Sequence, residues 1–274
     1  MKCFFHSDLD GRSSAAIVLR SVGNIPIELI EFGYKGNFPV DSVSPGEVVY
    51  VVDLDLQKPG DWEKLLEKTD KVVWIDHHET AIARKGPQQD LDGIRSMDGS
   101  AALLTWKMLG GSRIPRAVEL ISDFDTWTHA FGQETLNFMY GMKSFDESPH
   151  SPIWVSLLDG DAAVLANVIS AGVHIGKAWQ RDDAEYLAQF GFETKLEGHS
   201  AYAVNKARAS SLMFGDKGDE YDLMISFVYD GQTKSYSVSL YTKKPDIHVG
   251  EIAKKRGGGG HKGASGFSCK NLPF

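Results

Sequence analysis

His6, Asp8 and Asp10 occupy every second position of the segment His6-Ser7-Asp8-Leu9-Asp10. In an extended segment side chains alternate with period two, so these three would face one side. Imidazole and carboxylates on one side form a ligand set for a divalent cation. Oxygen ligands alone suit Mg2+ or Ca2+, and an added imidazole moves the preference toward Mn2+, Fe2+, Co2+ or Zn2+. The same residue types recur at Asp53, in Asp76-His77-His78 and in Ser122-Asp123-Phe124-Asp125. Asp8, Asp10, Asp53 and Asp123 with His6 and His77 are enough for two cations sharing a bridging ligand, the usual clamp for in-line phosphoryl transfer. Taken singly, an aspartate after a strand is ordinarily a turn or cap residue, and a lone histidine is ordinarily structural. Recurrence at several strand ends carries the argument.

The elements that must position these groups are legible around them. Lys2–Phe5 is a short apolar run, Val48–Val52 (VVYVV) and Lys71–Ile75 (KVVWI) read as strands buried on both faces, and Ile27–Phe32 is strand-like. Helices are expected over Ser13–Val22, over Asp61–Thr69 with Asp61 as its cap, over Ser100–Leu109 with Ser100 as its cap, and over Arg116–Asp123. Strands alternating with helices predict a parallel α/β sheet, and ligands in such sheets bind beyond the C-terminal strand ends. The polar clusters follow three of those ends. A long helical stretch from about Asp161 to Phe190 is expected as a connector. Tyr221–Tyr229, Asp230-Gly231 and Lys234–Tyr241 form a hairpin signature. His248–Arg256 reads as a helix, and a closing strand lies near Gly266–Cys269. Trp106, Trp127 and Trp179 are expected in the core.

Between that helix and that strand lies Gly257-Gly258-Gly259-Gly260-His261. Four glycines exceed what a helix stop requires. They would expose backbone N–H groups and permit the positive φ that aims several at one anion. Gly258, Gly259, Gly260 and His261 are therefore the candidate substrate-binding residues, flanked by Lys254, Lys255, Arg256 and Lys262.

The chain has 274 residues, 42% hydrophobic, with a formal net charge of −8. This apolar share builds a packed core and excludes disorder as the main state. No apolar run approaches the roughly 18 residues of a membrane span. The polar, acidic N-terminus does not read as a signal peptide, so a cytoplasmic location without a membrane partner is expected. Two cysteines, Cys3 and Cys269, make no disulfide framework. The acidic balance argues against a track for long duplex nucleic acid, although residues 234–262 hold seven Lys/Arg against two acids. The expected organisation is a catalytic domain over 1–130, a helical connector over 131–190 and a substrate-binding domain over 191–274.

Asp8-Leu9-Asp10-Gly11 resembles the haloacid dehalogenase-like phosphatases, in which the first aspartate would be a nucleophile. That family follows its glycine with Thr or Val, whereas Arg12 stands here, and it leaves Asp76-His77-His78 without a role. The ordered series HSDLDG, VVDLD, DHH, ISD and GGGGHKGASG resembles the DHH phosphoesterases with their DHH-associated C-terminal domain, from about residue 5 to 269. The resemblance implies an α/β fold with a parallel-sheet DHH domain and a smaller mixed α/β C-terminal domain. It implies two divalent ions, chiefly Mn2+ with Mg2+ or Co2+ as substitutes. By the same resemblance His6, Asp8 and Asp53 hold one ion. Asp10, Asp53, His77 and Asp123 hold the other, with Asp125 as the competitor to Asp123. His78 would contact a phosphate oxygen, and Asp76 would orient the histidines. Where the family carries an Arg after Ser-Leu, this chain has Ser239-Leu240-Tyr241, so Lys243 or Lys244 would replace it, or Tyr241 would stack on a base. The expected activity is a phosphodiesterase for short oligonucleotides or linear dinucleotides. The alternatives are an exopolyphosphatase, a phosphatase of a small nucleotide, a haloacid dehalogenase-like phosphatase and a non-catalytic nucleotide-binding module.

Overall fold

The structure, a computed structural model, describes residues 1–33, 36–207 and 209–274. The chain divides into two units, Met1–Gly176 and Lys177–Phe274. The first is built from β1 (Lys2–Phe5), α1 (Leu9–Val22), β2 (Glu28–Glu31), β3 (Val49–Val52), α2 (Asp61–Lys68), β4 (Val72–Ile75), α3 (Glu79–Ile82), α4 (Ala101–Leu109), α5 (Arg116–Asp125), α6 (Gln133–Met142), α7 (Pro152–Asp159) and the first part of α8 (Ala162–Phe190).

Among the described residues its sheet has four strands in the order β2-β1-β3-β4, all parallel. The period-two alternation divides the strand residues between two apolar layers. Phe4, Val49, Val51, Val72 and Trp74 pack with Trp62 and Leu65 of α2, while Cys3, Phe5, Val52 and Ile75 pack with Ala15 and Val18 of α1 and Leu104 of α4. The register sets Phe5 beside Val52 and Val52 beside Ile75. The residues that follow, His6, Asp53 and Asp76, therefore leave the sheet side by side. Connections run from β1 to β2 on one side and onward to β3 on the other, so this edge is a topological switch point, where such sheets bind ligands.

A third apolar cluster joins Ile17 of α1 to Trp106, Leu120, Ile121, Phe138, Met142, Trp154, Leu157 and Val168. This packing draws residues 131–176 into the first unit, where the sequence predicted a separate connector. Helices α6 and α7 lie inside the stretch expected as a helical connector. Trp106 is buried, but Trp127 is 43% and Trp179 46% exposed, contrary to their expected core positions. Helix α2 starts after Gly60 in a left-handed turn, with Asp61 inside it rather than capping it. No single helix among the described residues is long and apolar enough to cross a membrane.

The second unit contains the rest of α8, β5 (Phe192–Leu196), β6 (His199–Asn205), α9 (Lys217–Glu220), β7 (Leu223–Asp230), β8 (Ser235–Tyr241), α10 (Val249–Lys254), β9 (Gly259–Gly260) and β10 (Ala264–Cys269). Its mixed sheet has the order β5-β6-β7-β8-β10-β9; β6 and β7 are parallel and the other pairs antiparallel. The hairpin β7–β8 and helix α10 stand where the sequence placed them. Leu223, Ile225, Val238, Leu240, Ile252, Ala253 and Phe267 fill the core between sheet and helix.

Candidate metal centre

The segment after β1 is not extended through Asp10, as its spacing predicted. Helix α1 starts at Leu9 because the Asp8 carboxylate accepts the Gly11 N–H at 2.9 Å, a side-chain N-cap. Gly11 is required by close approach, since a Cβ there would lie 2.3 Å from the carbonyl oxygen of His6. The change from strand to helix turns Asp10 away from His6 and Asp8. The three residues consequently serve two groups: His6, Asp8 and Asp53 in one, Asp10, His77 and Asp125 in another. A third group, Asp53, His77 and His78, links them.

Asp53 follows β3 in a left-handed conformation, φ 53°, and donates its N–H to the Ile75 carbonyl. Its carboxylate lies between the histidines: Oδ2 is 3.7 Å from His6 Nδ1, and Oδ1 is 3.4 Å from His77 Nε2 and 3.9 Å from His78 Nδ1. His77 Nε2 also lies 3.7 Å from Asp10 Oδ2 and 3.1 Å from Asp125 Oδ2, and His6 Nδ1 lies 2.6 Å from Asp8 Oδ2. Asp76 works from below. Its Oδ1 accepts the N–H of His77 at 2.7 Å and of His78 at 3.1 Å, and stands 2.7 Å from His78 Nδ1. One buried carboxylate thus fixes both histidines.

Asp10 is held by backbone. Its two oxygens accept the N–H groups of Ala101 and Ala102 at 2.8 and 2.9 Å, in the first turn of α4. Asp10 therefore caps α4 from outside, and Ser100, the expected cap, makes no side-chain cap bond; its N–H goes to Ser122 Oγ at 3.0 Å.

The structure separates the two acids of α5. Asp123, preferred from sequence as a ligand, is taken up elsewhere: its carboxylate accepts the N–H of Ala130 at 2.6 Å, the N–H of Phe131 at 3.2 Å and the Thr135 hydroxyl. Asp125 reaches His77 instead. Residues two apart on a helix point roughly 200° away from each other, so only one can face the sheet ends. Helix α5 continues two residues beyond the expected Asp123 and presents Asp125 in its last turn.

The electrostatics of the cluster call for cations. Burial, then the charges of Asp8, Asp10 and Asp125, pushes the Asp53 carboxyl well above its ordinary range. Burial, then Asp10 and Asp8, does the same to Asp125. Burial likewise raises Asp10 and lowers His77 toward its neutral form, the form that binds a metal. Burial also works against charge on His78, yet the hydrogen bond and charge of Asp76 overcome it and lift His78 to about 9. Asp53 Oδ2, Asp76 Oδ2 and Asp125 Oδ2 are buried without a hydrogen-bond partner among the described residues. Buried carboxylate oxygens left unbonded beside one another are unfavourable unless a positive charge sits among them. The donor set, oxygen with imidazole, suits Mn2+ and related ions.

In the second unit the glycine-rich segment is more ordered than its composition predicted. Gly259 and Gly260 pair with Gly266 and Ser265 as β9. The N–H groups of Gly257, Gly258 and His261 already donate to the carbonyls of Lys254, Ala253 and Ala264. Gly258 is packed so closely that a Cβ would lie 2.0 Å from the Gly266 carbonyl oxygen. Lys255 and Arg256 pair with Glu197 at 2.9 and 2.6 Å. Lys243 pairs with Asp219 at 3.2 Å, and Lys244 donates to the Asp219 carbonyl. Tyr241 donates its hydroxyl to the Ala209 carbonyl at 2.7 Å. None of these three side chains is left unengaged for the role of the family's Arg. His261 is exposed.

Comparison with known proteins bears on this arrangement. No protein-family model matches the chain, and no curated protein matches it. Solved structures do. The chain is similar to the pGpG-specific phosphodiesterase PggH of Vibrio cholerae, at 15% identity with a TM-score of 0.55, over 98% of this chain and 92% of that one. It is similar to the DHH domain of a member of a family of ribosomal proteins, at 11% identity and a TM-score of 0.62, over 98% and 82%. It is also similar to RecJ of Thermus thermophilus, solved with Mn2+, at 15% identity and a TM-score of 0.51, over 98% of this chain and 49% of that one. The fold of this chain is that of the DHH phosphoesterases. The carboxylate and imidazole cluster stands at the strand ends of its parallel sheet.

Proposed function

We propose that this protein is a divalent-metal-dependent phosphodiesterase that hydrolyses short oligonucleotides or linear dinucleotides. The observation that carries the reading is the set of three metal-competent groups that share Asp53 and His77. Cations bound there, Mn2+ foremost with Mg2+ or Co2+ as substitutes, neutralise phosphoryl charge and make water a nucleophile near neutral pH. His6, Asp8 and Asp53 are assigned to one ion. Asp10, Asp53, His77 and Asp125 are assigned to the second, Asp125 taking the place expected of Asp123. Asp76 fixes the ring of His78, which we assign as a hydrogen-bond donor to a phosphate oxygen. The exposed side chain of His261 is assigned to a further phosphate of the substrate, since the N–H groups of Gly258 and His261 expected to hold it are taken by the Ala253 and Ala264 carbonyls. The named substrate of the Vibrio cholerae relative, a linear dinucleotide, supports the substrate class, and the net charge of −8 disfavours long duplexes.

The test is hydrolysis of a linear dinucleotide with Mn2+, alongside inorganic polyphosphate and a bisphosphorylated nucleotide. Dinucleotide turnover is expected, and it should vanish in His77→Ala. Equal rates in the two proteins would overturn the reading. Acid-stable phosphate trapped on Asp8 would replace it with the haloacid dehalogenase-like scheme.

A further inference from the structure

The turn after Asp125 holds a side chain that the proposed chemistry has not used. Trp127 is exposed over 43% of its surface and sits two residues past Asp125, whose carboxylate is 3.1 Å from His77. Two residues separate their Cα atoms by no more than about 7 Å, so the backbone of Trp127 adjoins the residue that reaches His77. Its backbone is constrained. Trp127 and His129 both adopt left-handed conformations, φ 58° and 49°, on either side of Thr128. Bulky non-glycine residues hold such angles only when the surroundings fix them, and such positions gather at ligand sites.

Here the surroundings are the polar groups of Asp123. Its carbonyl accepts the N–H groups of Thr128 and His129 at 3.1 and 3.2 Å. Its carboxylate accepts Ala130, Phe131 and Thr135. Five donors therefore converge on one residue and define the turn. The other exposed ring of this turn, Phe131, has its face covered by the Arg116 guanidinium 3.7 Å from the ring centre. Trp127 has no cation over it among the described residues. The ring centre of His129 is 5.7 Å away at 81°, an edge contact and not a stack.

An exposed indole on a fixed turn that adjoins Asp125 matches the chemistry of a nucleobase, which lies one sugar away from its phosphate. Every base offers a π-face, so stacking on tryptophan accepts any sequence. We propose that Trp127 is the stacking platform for the base adjoining the scissile phosphate, so that the site takes nucleotide esters in preference to inorganic phosphate chains. This inference rests on the phosphodiesterase reading above.

The experiment compares kcat/KM for a linear dinucleotide with that for the same diester lacking its bases, using the full chain with Mn2+. Stacking of one base on an aromatic ring is worth roughly five-fold to more than a hundred-fold. The intact protein is expected to favour the dinucleotide by at least about five-fold, on the same basis. In Trp127→Ala that preference should collapse toward unity, and in Trp127→Phe most of it should return. A preference unchanged in Trp127→Ala, or no preference in the unmodified protein, overturns the proposal while leaving the phosphodiesterase reading intact. If the unmodified protein hydrolyses neither ester faster than Asp53→Ala, the phosphodiesterase reading fails and this inference falls with it. A thermal scan of Trp127→Ala guards against loss of fold.

Discussion

Replacing Asp53 by Asn keeps the shape and the hydrogen-bonding capacity of the side chain and removes one negative charge from the centre of the cluster. Asparagine also tolerates the left-handed backbone at φ 53°, so the change does not add strain. In the metal-free protein, the folded state raises the Asp53 pKa through burial and through Asp8, Asp10 and Asp125. A raised carboxyl pKa means that the folded chain keeps a proton which the unfolded chain releases above about pH 4. Folding is therefore unpenalised below that pH. The penalty grows as pH rises toward the folded value and is complete above it. With chelator present, Asp53→Asn is expected to be more stable than the unmodified protein at pH 8, by on the order of 1 kcal/mol, the scale for relieving one uncompensated buried charge. For a domain of this size that is a rise of about 2–4 °C in Tm. The difference should close near pH 4.

Mn2+ should invert the order. An ion at a hundred times its Kd stabilises the folded state by about 2.7 kcal/mol, or about 5–10 °C here. Asp53 belongs to two of the three metal-competent groups, so the variant should lose most of that gain. Thermal scans from pH 4 to 8, with chelator and then with Mn2+, read all four quantities. A metal-free Asp53→Asn protein less stable than its parent at pH 8, or an equal Mn2+ shift in both, would refute the bridging role.

The two acids of α5 separate by the same measurement. Asp123→Ala strands three donors, including the buried Thr135 hydroxyl, and should cost about 2–4 kcal/mol of stability while keeping the Mn2+ shift. Asp125→Ala should reduce the Mn2+ shift and leave the metal-free protein as stable as before or more so; reversed results would return the ligand assignment to Asp123. In the second unit, His261→Ala should raise KM for a dinucleotide more than for a small phosphodiester carrying only the phosphate under attack. Equal increases on both esters would mean that His261 supports the fold and not a second phosphate.

The strand ends were legible because VVYVV and KVVWI are buried on both faces, and continuous β-branched runs have few other homes. Once these strands were parallel neighbours in register, Asp53 and Asp76-His77-His78 could only emerge together. The sequence places α6 and α7 only within a helical connector, because their apolar residues, Phe138, Met142, Trp154 and Leu157, pack against α1 and α5, partners far away in sequence. The choice between Asp123 and Asp125 was likewise hidden. It depends on the rotation of α5 about its axis, and the donors that claim Asp123 come from a turn and a helix whose bounds the sequence does not give. Trp127 was expected in the core because apolar spacing says nothing about φ, and a left-handed tryptophan has no compositional signature.

The spacing of His6, Asp8 and Asp10 lets one short motif serve two metal-competent groups. A strand continuing through Asp10 would have put all three side chains on one face, competing for one ion. The Asp8 cap stops the strand, and α1 begins at the next residue. Asp8 then remains with His6 and Asp53, while Asp10 swings toward His77 and Asp125. The same turn ties Asp10 to the first amides of α4 at 2.8 and 2.9 Å, so the helix that packs on the sheet through Leu104 also sets the aim of the carboxylate. Asp53, from the strand next to β1, lies within reach of both His6 and the His77–His78 pair. The two-ion arrangement proposed above follows from where a strand ends and a helix begins, with Asp8 serving as the cap and assigned as a ligand.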